Sequence, residues 1–289
     1  MKRIPKKTLK IVIPKGRIFQ NVVSLFHEAG FRLETDARGY TPWISDPEIE
    51  VKCMKPQNIA QLVVLGSHDL GFTGFDWIVE TGAEVCEIID LKFDPVKIVA
   101  AIPQNRTPAD LKKRRIVVAS EYENISRRYL DRREFDYLFL RTFGATEVFP
   151  PDDADMIIDN VSSGRTLKAN SLKIIDTLMS SSTRLIANPA AAADSWKGEK
   201  IAELTTLFLA VLDARERVML EMNVPPEKLA QVVKKLPCMR SPTISPLYRD
   251  QGYAVKVAVK RTDVMRLIPM LKRMGATDIL EYEIRKVVI

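Results

Sequence analysis

Between Asp159 and Thr166 the chain reads DNVSSGRT, an acid followed by paired serines, a glycine, an arginine and a threonine. These residue types suit a phosphorylated sugar. Ser162, Ser163 and Thr166 offer hydroxyls, Gly164 lets the backbone come close to a ligand, and Arg165 stands in the same turn. The free N–H groups at the start of a following helix favour an anion. A carboxylate beside a phosphate repels it unless aimed at hydroxyls or a metal, so Asp159 points to two ribose hydroxyls next to a 5-phosphate. The simpler alternative is a strand-to-helix turn with Ser162 or Ser163 as N-cap.

A second basic turn follows Pro14. Lys15, Gly16 and Arg17 would project at a sheet edge where cations meet phosphate or pyrophosphate, Arg with two oxygens at once. Surface cations decorating an N-terminal turn are the plain alternative. A third stretch, Asp69 to Gly74, combines an acid with Gly71 and Gly74, which would admit a flat base or a phosphate to the backbone. His68 has no Ser or Cys signature beside it, and no Ser/His/Asp or Cys/His arrangement is present. Cys53, Cys86 and Cys238 are widely spaced, and His27 and His68 are the only histidines. That pattern argues against a disulfide framework or a zinc cluster, leaving Mg²⁺ brought in by phosphates as the expected metal.

The elements that position these residues follow from the apolar pattern. Met156 to Ile158 suits a buried parallel strand, with Asp159 at its carboxyl end, the edge at which open α/β sheets bind ligands. Leu9 to Ile13 reads as a strand, Ile18 to Ala29 and Asn58 to Leu65 as helices, and Asp69 to Gly74 as a strand with a Gly-rich turn leading into a helix at Asp76. Phe31 to Lys55 reads as short strands with turns at Arg38-Gly39 and Ser45-Asp46-Pro47. Pro95 to Pro103 is a long strand after which the chain crosses into a second lobe. Leu172 to Ser180 returns it, and Lys200 to Arg217 is a helix expected on the first lobe. The final segment alternates as βαββαβ, a ferredoxin-like unit.

DNVSSGRTLKANSL, with KGRI near the start, DLGFTGFD in the middle and RSPTISPL near the end, resembles the ATP phosphoribosyltransferases, specifically the long form, in the same order from Leu9 to Lys286. The resemblance implies a reaction in which N1 of the adenine of ATP displaces pyrophosphate from C1 of phosphoribosyl pyrophosphate (PRPP), the first step of histidine biosynthesis. It implies an α/β fold: a two-lobed, periplasmic-binding-protein-like catalytic unit of the type IV phosphoribosyltransferases, plus the ferredoxin-like domain as an ACT-like regulatory domain. Residues 1–103 and 181–214 would form catalytic lobe I, 104–180 lobe II with the PRPP loop, and 215–289 the regulatory domain.

Carried over residue by residue, the resemblance gives Arg17, Glu147 and Asp159 catalytic roles. Asp159, Ser162, Ser163, Gly164, Arg165 and Thr166 would bind PRPP, while Lys15, Gly16, Arg17, Asp69, Gly71 and Gly74 would bind ATP. Mg²⁺ would be held mainly by substrate oxygens. Histidine would inhibit from a pocket between neighbouring subunits at Asn223, Met239, Thr243 and Asp278, and the subunits would form a hexamer exchanging with dimers. Two departures stand out. Pro14 passes directly to Lys15 without the usual serine, and Pro150 to Asp153 replace a Gly-containing turn before the motif strand.

Composition bounds the function classes. A chain of 289 residues with 46% hydrophobic and 28% charged residues is globular, with room for two or three domains. No apolar run approaches the roughly 20 residues a membrane span needs, and MKRIPKKTLKIVI lacks a long apolar core and a small-residue cleavage site, so a cytoplasmic, membrane-free protein is expected. Nearly all of the +7 net charge lies in the last quarter, where Leu212 to Ile289 carries 15 Lys and Arg against 9 Asp and Glu and residues 1 to 211 are close to balanced. Without interleaved aromatics this reads as a solvated face and not as a nucleic-acid surface. A small-ligand sensor of periplasmic-binding-protein type, needing neither PRPP nor Mg²⁺, is the remaining alternative, since fold alone does not fix function.

Overall fold

A computed structural model describes residues 7–34 and 39–289; the turn expected at Arg38 lies outside them. The chain begins β1 (Leu9–Pro14), α1 (Phe19–Ala29), β2 (Leu33–Glu34), β3 (Trp43–Ile44), β4 (Ile49–Met54), α2 (Pro56–Val64), β5 (Leu70–Gly74), α3 (Phe75–Thr81) and β6 (Cys86–Asp90). It continues with β7 (Val96–Pro103), α4 (Pro108–Leu111), β8 (Ile116–Ser120), α5 (Glu123–Arg132), β9 (Tyr137–Arg141), β10 (Met156–Val161), α6 (Arg165–Ala169) and β11 (Leu172–Ser181). After β12 (Thr183–Ala187) come α7 (Pro189–Ala193), α8 (Ser195–Arg215), β13 (Arg217–Val224), α9 (Leu229–Lys235), β14 (Thr243–Pro246), β15 (Tyr253–Lys260), α10 (Val264–Arg273) and β16 (Thr277–Glu283).

Two compact units result. The second comprises Leu25–Gly30 and Glu203–Ile289, and the first comprises the other described residues. The first unit is built on two five-stranded sheets, in the orders β4-β1-β5-β12-β6 and β11-β7-β10-β8-β9, with a small β2-β3 pair beside them. β1 runs parallel to β4 and β5, and β10 runs parallel to β8, so the segments after β1 and β10 leave the carboxyl ends of these parallel pairs.

Membership of the sheets corrects the expected lobe boundary. PVKIVAAIP was expected to close lobe I, but β7 pairs antiparallel with both β10 and β11 and is a central strand of the second sheet. Its apolar run from Ile98 to Pro103 is what burial on both faces demands, and all but Lys97 of its residues are buried. The return of the chain is also later than expected. Leu172–Ser181 is itself an edge strand of the second sheet, and the crossing falls at Ser182. There the outgoing and returning segments run side by side, with Leu91 N–H donating to Thr183 O and Thr183 N–H to Phe93 O, both at 3.0 Å.

Buried acids from α3 hold the two sheets in register. Both carboxylate oxygens of Glu80, 6% exposed, accept the backbone N–H groups of Asn124 and Ile125 at 2.9 Å, and Asn124 Nδ2 donates to Glu80 O. A carboxylate here meets the unpaired donors and positive end of α5 from the other sheet. Asp76 accepts from Ser181 Oγ at 2.5 Å and from Tyr122 Oη at 2.7 Å, and the Tyr122 ring stacks on Trp77 with centroids 4.6 Å apart.

The second unit contains β13, α9, β14, β15, α10 and β16 in the strand order β14-β15-β13-β16, the ferredoxin-like arrangement. Val218, Leu220, Met222 and Val224 alternate inward from β13 against α9 and α10, as a one-sided sheet requires. The helix expected on the first lobe is divided differently: from Glu203 onward α8 belongs to the second unit, where Phe208 meets Phe26 edge-to-face at 5.1 Å and Arg215 binds both Glu28 carboxylate oxygens.

Candidate active site

The segments leaving β1 and β10 face one cleft of the first unit. One part, about 320 Å³, is lined by Lys15, Arg17, Gly74, Asp76 and Tyr122. A second part, about 330 Å³, is lined by Glu147, Asp159, Ser162, Ser163, Gly164 and Thr166. Arg17, Glu121 and Asn160 border both, so the two parts adjoin.

The motif loop is built as its residues demand. β10 carries Asp159 to the rim, and Gly164 turns the chain into α6 at φ +72°, a left-handed conformation that glycine adopts without strain. Ser162, Ser163 and Thr166 surround it with exposed hydroxyls. Arg165, expected among the ligands of PRPP, is exposed on the first turn of α6 and does not line the cleft. Asp159 accepts the Asn160 backbone N–H at 2.7 Å. Burial, reinforced by the Glu147 and Glu121 charges, pushes its carboxyl up to about 7. Glu147 lies in the 3-10 turn Thr146–Val148. The cavity therefore faces its ligand with hydroxyls and amides at one end and carboxylates short of positive charge at the other.

Gly16 takes φ +88°, which lets the basic turn bend directly after β1. Arg17 lies 3.7 Å from Asp94, itself bonded by Asn21 Nδ2 at 2.9 Å, and Lys15 Nζ sits over the Tyr40 ring at 3.3 Å from its centroid. Both contacts are ones that an arriving polyphosphate could replace, because the cations stand at the cleft wall.

Two expected nucleotide contacts are corrected. Asp69 stands just before the amino end of β5, away from the carboxyl end that reaches the cleft at Gly74. Its oxygens accept the Lys10 backbone N–H at 2.8 Å and Lys197 Nζ at 2.7 Å, a structural pairing away from the cleft. Gly71 lies inside β5 and not in a turn. A Cβ there would stand 2.7 Å from Ile59 Cγ2 and 2.8 Å from Val63 Cγ2, so this glycine exists to let α2 pack on the sheet. Gly74 does line the cleft, and Ser181 Oγ accepts the Asp76 N–H beside it.

Several cleft residues escaped the sequence reading: Gln57, Asp76, Asp94, Glu121, Tyr122 and Asn160. No motif spacing marks them. The one available signal was the acid after β8 in ASEYEN, at the carboxyl end of a strand parallel to β10. His68 does not line the cleft: burial, with Lys52 and Lys10 nearby, pulls its pKa below the usual value, and its ring nitrogen lies 3.3 Å from Ser67 Oγ. Among the basic residues Lys112 to Arg115, Arg127, Arg128, Arg132 and Arg133, most are paired: Lys113 with Asp110, Arg114 with Asp155, Arg115 with Asp136, Arg127 with Glu123 and Arg133 with Asp176. Among the described residues no helix is long and apolar enough to cross a membrane.

In the second unit Asn223 Nδ2 donates to Asp278 Oδ2 at 2.9 Å, which also accepts Thr277 Oγ1. Thr243 pairs with Lys256 on β15, whereas Asn223 pairs with Ala254. Two of the expected regulatory residues are therefore joined, and Thr243 lies two strands away with a shifted register. Met239 is an exposed residue of the irregular segment before β14.

Residues 55–209 match the family described as ATP phosphoribosyltransferase, and residues 214–286 match the HisG C-terminal domain. The chain is similar to the ATP phosphoribosyltransferase of Pelodictyon phaeoclathratiforme (strain DSM 5477 / BU-1), 40% identical over 290 residues that cover 98% of each. It is 39% identical to that of Desulforudis audaxviator (strain MP104C), over 97% of this chain and 99% of the relative. Among solved structures it resembles the ATP phosphoribosyl transferase (HisG:HisZ) complex from Thermotoga maritima, with a TM-score of 0.63 at 23% identity, covering 70% of this chain and 99% of that one.

Proposed function

The chain belongs to the ATP phosphoribosyltransferase family, and from that premise we propose how its residues divide the work of joining ATP to PRPP, the step that opens histidine biosynthesis. N1 of adenine already has a lone pair. The protein must supply alignment and stabilise charge developing on the sugar and on the departing pyrophosphate. Ser162, Ser163 and Thr166 with the Gly164 backbone hold the 5-phosphate, and Asp159 accepts from the ribose hydroxyls. Arg17, standing where the two parts of the cleft meet, leaves Asp94 for pyrophosphate oxygens. Lys15, Gly16 and Gly74 form the nucleotide side, and Glu147 balances positive charge on the sugar. The observation that carries this reading is the shared cleft, in which the acid, the phosphate loop and the basic turn converge from different strands.

Mg²⁺ fits this site as a partner of the substrate. Asp159 and Glu147 border the same cavity, yet among the described residues no group of three or more His, Cys, Asp or Glu could hold a metal alone. When bound, the ion neutralises pyrophosphate charge, with few protein ligands. An assay with purified protein, ATP, PRPP and Mg²⁺, following the ultraviolet absorbance of the adduct, tests the assignment as a whole. Adduct formation that depends on all three is expected, and none in correctly folded protein would refute it.

The remaining features of the long form are part of the same proposal. Free histidine inhibits by binding the second unit around Asn223, Thr243 and Asp278, the subunits assemble as hexamers exchanging with dimers, and the enzyme works in the cytoplasm. The Asn223–Asp278 pair supports the first of these: it joins a side-chain amide to an acid that could turn to the amino group of the ligand. Inhibition requires unequal binding to two conformations, so it should persist at saturating ATP and PRPP.

A further inference from the structure

The cleft brings one carboxylate to the place where its two parts meet. Glu121 follows the carboxyl end of β8, and among the described residues it alone borders the nucleotide side, the phosphate-loop side and a third cavity of about 460 Å³. Gln57 Nε2, from α2 on the other sheet, donates to Glu121 Oε2 at 3.1 Å. The Gln57 carbonyl is buried without a partner, so the amide is oriented by the carboxylate alone. Glu121 Oε1 lies on the phosphate-loop side, 3.9 Å from where a Cβ on Gly144 would stand, and receives no hydrogen bond among the described residues.

The other acids of the cleft are either bonded to neighbouring side chains or confined to one part of it. Asp76 spends both oxygens on Ser181 and Tyr122, and Asp94 holds Arg17 and Asn21. Asp159 and Glu147 border only the phosphate-loop side. An acceptor at the junction would serve the chemistry. As the N1 lone pair forms the bond to C1, the bond from C1 to the pyrophosphate oxygen breaks and its electron pair leaves with pyrophosphate. The adenine ring takes up positive charge, which it shares with its exocyclic amine, and a carboxylate accepting an N–H of that amine both orients N1 and balances the charge.

We propose that Glu121, tethered by Gln57, accepts the exocyclic amine of ATP and thereby positions N1 and selects adenine over 6-oxo purines. This rests on the division of the cleft given above. A 6-oxo purine presents a carbonyl oxygen in place of the amine, and that oxygen would face a carboxylate with no proton between them. Discrimination by a missing donor is steep because the acceptor is then left unpaired.

Inosine triphosphate is the probe, as a non-reacting competitor measured beside ATP by calorimetry on the full chain, with circular dichroism to establish folding. Wild type should favour ATP strongly. Glu121→Gln, whose amide can donate to a 6-oxo group, should narrow the ATP-to-ITP ratio by about tenfold or more, the scale of one charge-assisted hydrogen bond. Glu121→Ala should narrow it by weakening ATP. PRPP affinity, measured in the same samples, reports on the division of the cleft and should stay close to wild type. A ratio within about twofold of wild type in both folded variants would overturn the proposal, whereas loss of PRPP affinity with a narrowed ratio would fault only the division of the cleft.

Discussion

Asp159→Asn should make the unliganded protein more stable and the enzyme far less active. Raising a carboxyl from its ordinary 3.8 to about 7 costs the ionised folded state about 4 kcal/mol, at about 1.4 kcal/mol per pH unit. The sign follows from proton counts. Between pH 4 and 7 the folded protein keeps a proton that the unfolded chain has lost, so stability falls as pH rises and the full penalty holds above 7. Asparagine is neutral throughout and can still accept the Asn160 N–H, so it removes the penalty without breaking that bond. Thermal melts at pH 8 and pH 5 should therefore show a gain of several degrees at pH 8 and a smaller one at pH 5. The same change removes a charge-assisted contact to the ribose, lowering kcat/KM for PRPP by roughly 10- to 150-fold. In wild type kcat/KM should rise with pH through about 7, and the variant should lose that rise. Equal or lower stability of the variant at pH 8, or wild-type kcat/KM, would refute the reasoning.

Gly164→Val should weaken PRPP much more than ATP in calorimetry, because a branched residue is strained at φ +72° and its side chain would intrude on the phosphate; equal weakening of both ligands would count against a phosphate cradle. Asp69→Ala should lower stability by about 1 to 3 kcal/mol in denaturant melts, since it strands Lys197 and the Lys10 amide, while kcat/KM for ATP corrected for the folded fraction stays at wild type. Asp278→Asn should relieve inhibition by free histidine without changing uninhibited kcat, and inhibition curves as tight as wild type would exclude this residue from the regulatory site.

The parts of the site that were legible are local. Ser162 to Thr166 declares itself because hydroxyls, a left-handed glycine and a helix start are all written in consecutive residues, and Lys15 to Arg17 follows its strand in the same way. Orientation is what the chain does not write. Asp69 and Gly74 belong to one stretch, but only the sheet reveals which end of β5 meets the cleft, and Gly71 looks like a turn residue until α2 is seen lying on it. β7 has the same apolar run in either sheet, so its partner could not be read from its composition. Glu121 is the extreme case. Its significance depends on Gln57, which is 64 positions away on α2, the helix packed on the other sheet.

The grip of Glu80 on α5 has a bearing on how the first unit comes apart. Separating the sheets would leave a buried carboxylate without its donors and two amides without an acceptor, and Tyr122 and Ser181 would lose Asp76 at the same moment. Each sheet has its own apolar layers, but neither can melt without stranding buried polar groups in the other, so they should unfold as one cooperative block. The amides of Asn124 and Ile125 should then exchange with solvent at the slow rate of the core strands and not at the rate of a fraying helix end. Either half expressed alone should be insoluble. For such a scaffold, enlarging the loops around the cleft is a safer route to new substrates than swapping one lobe for another.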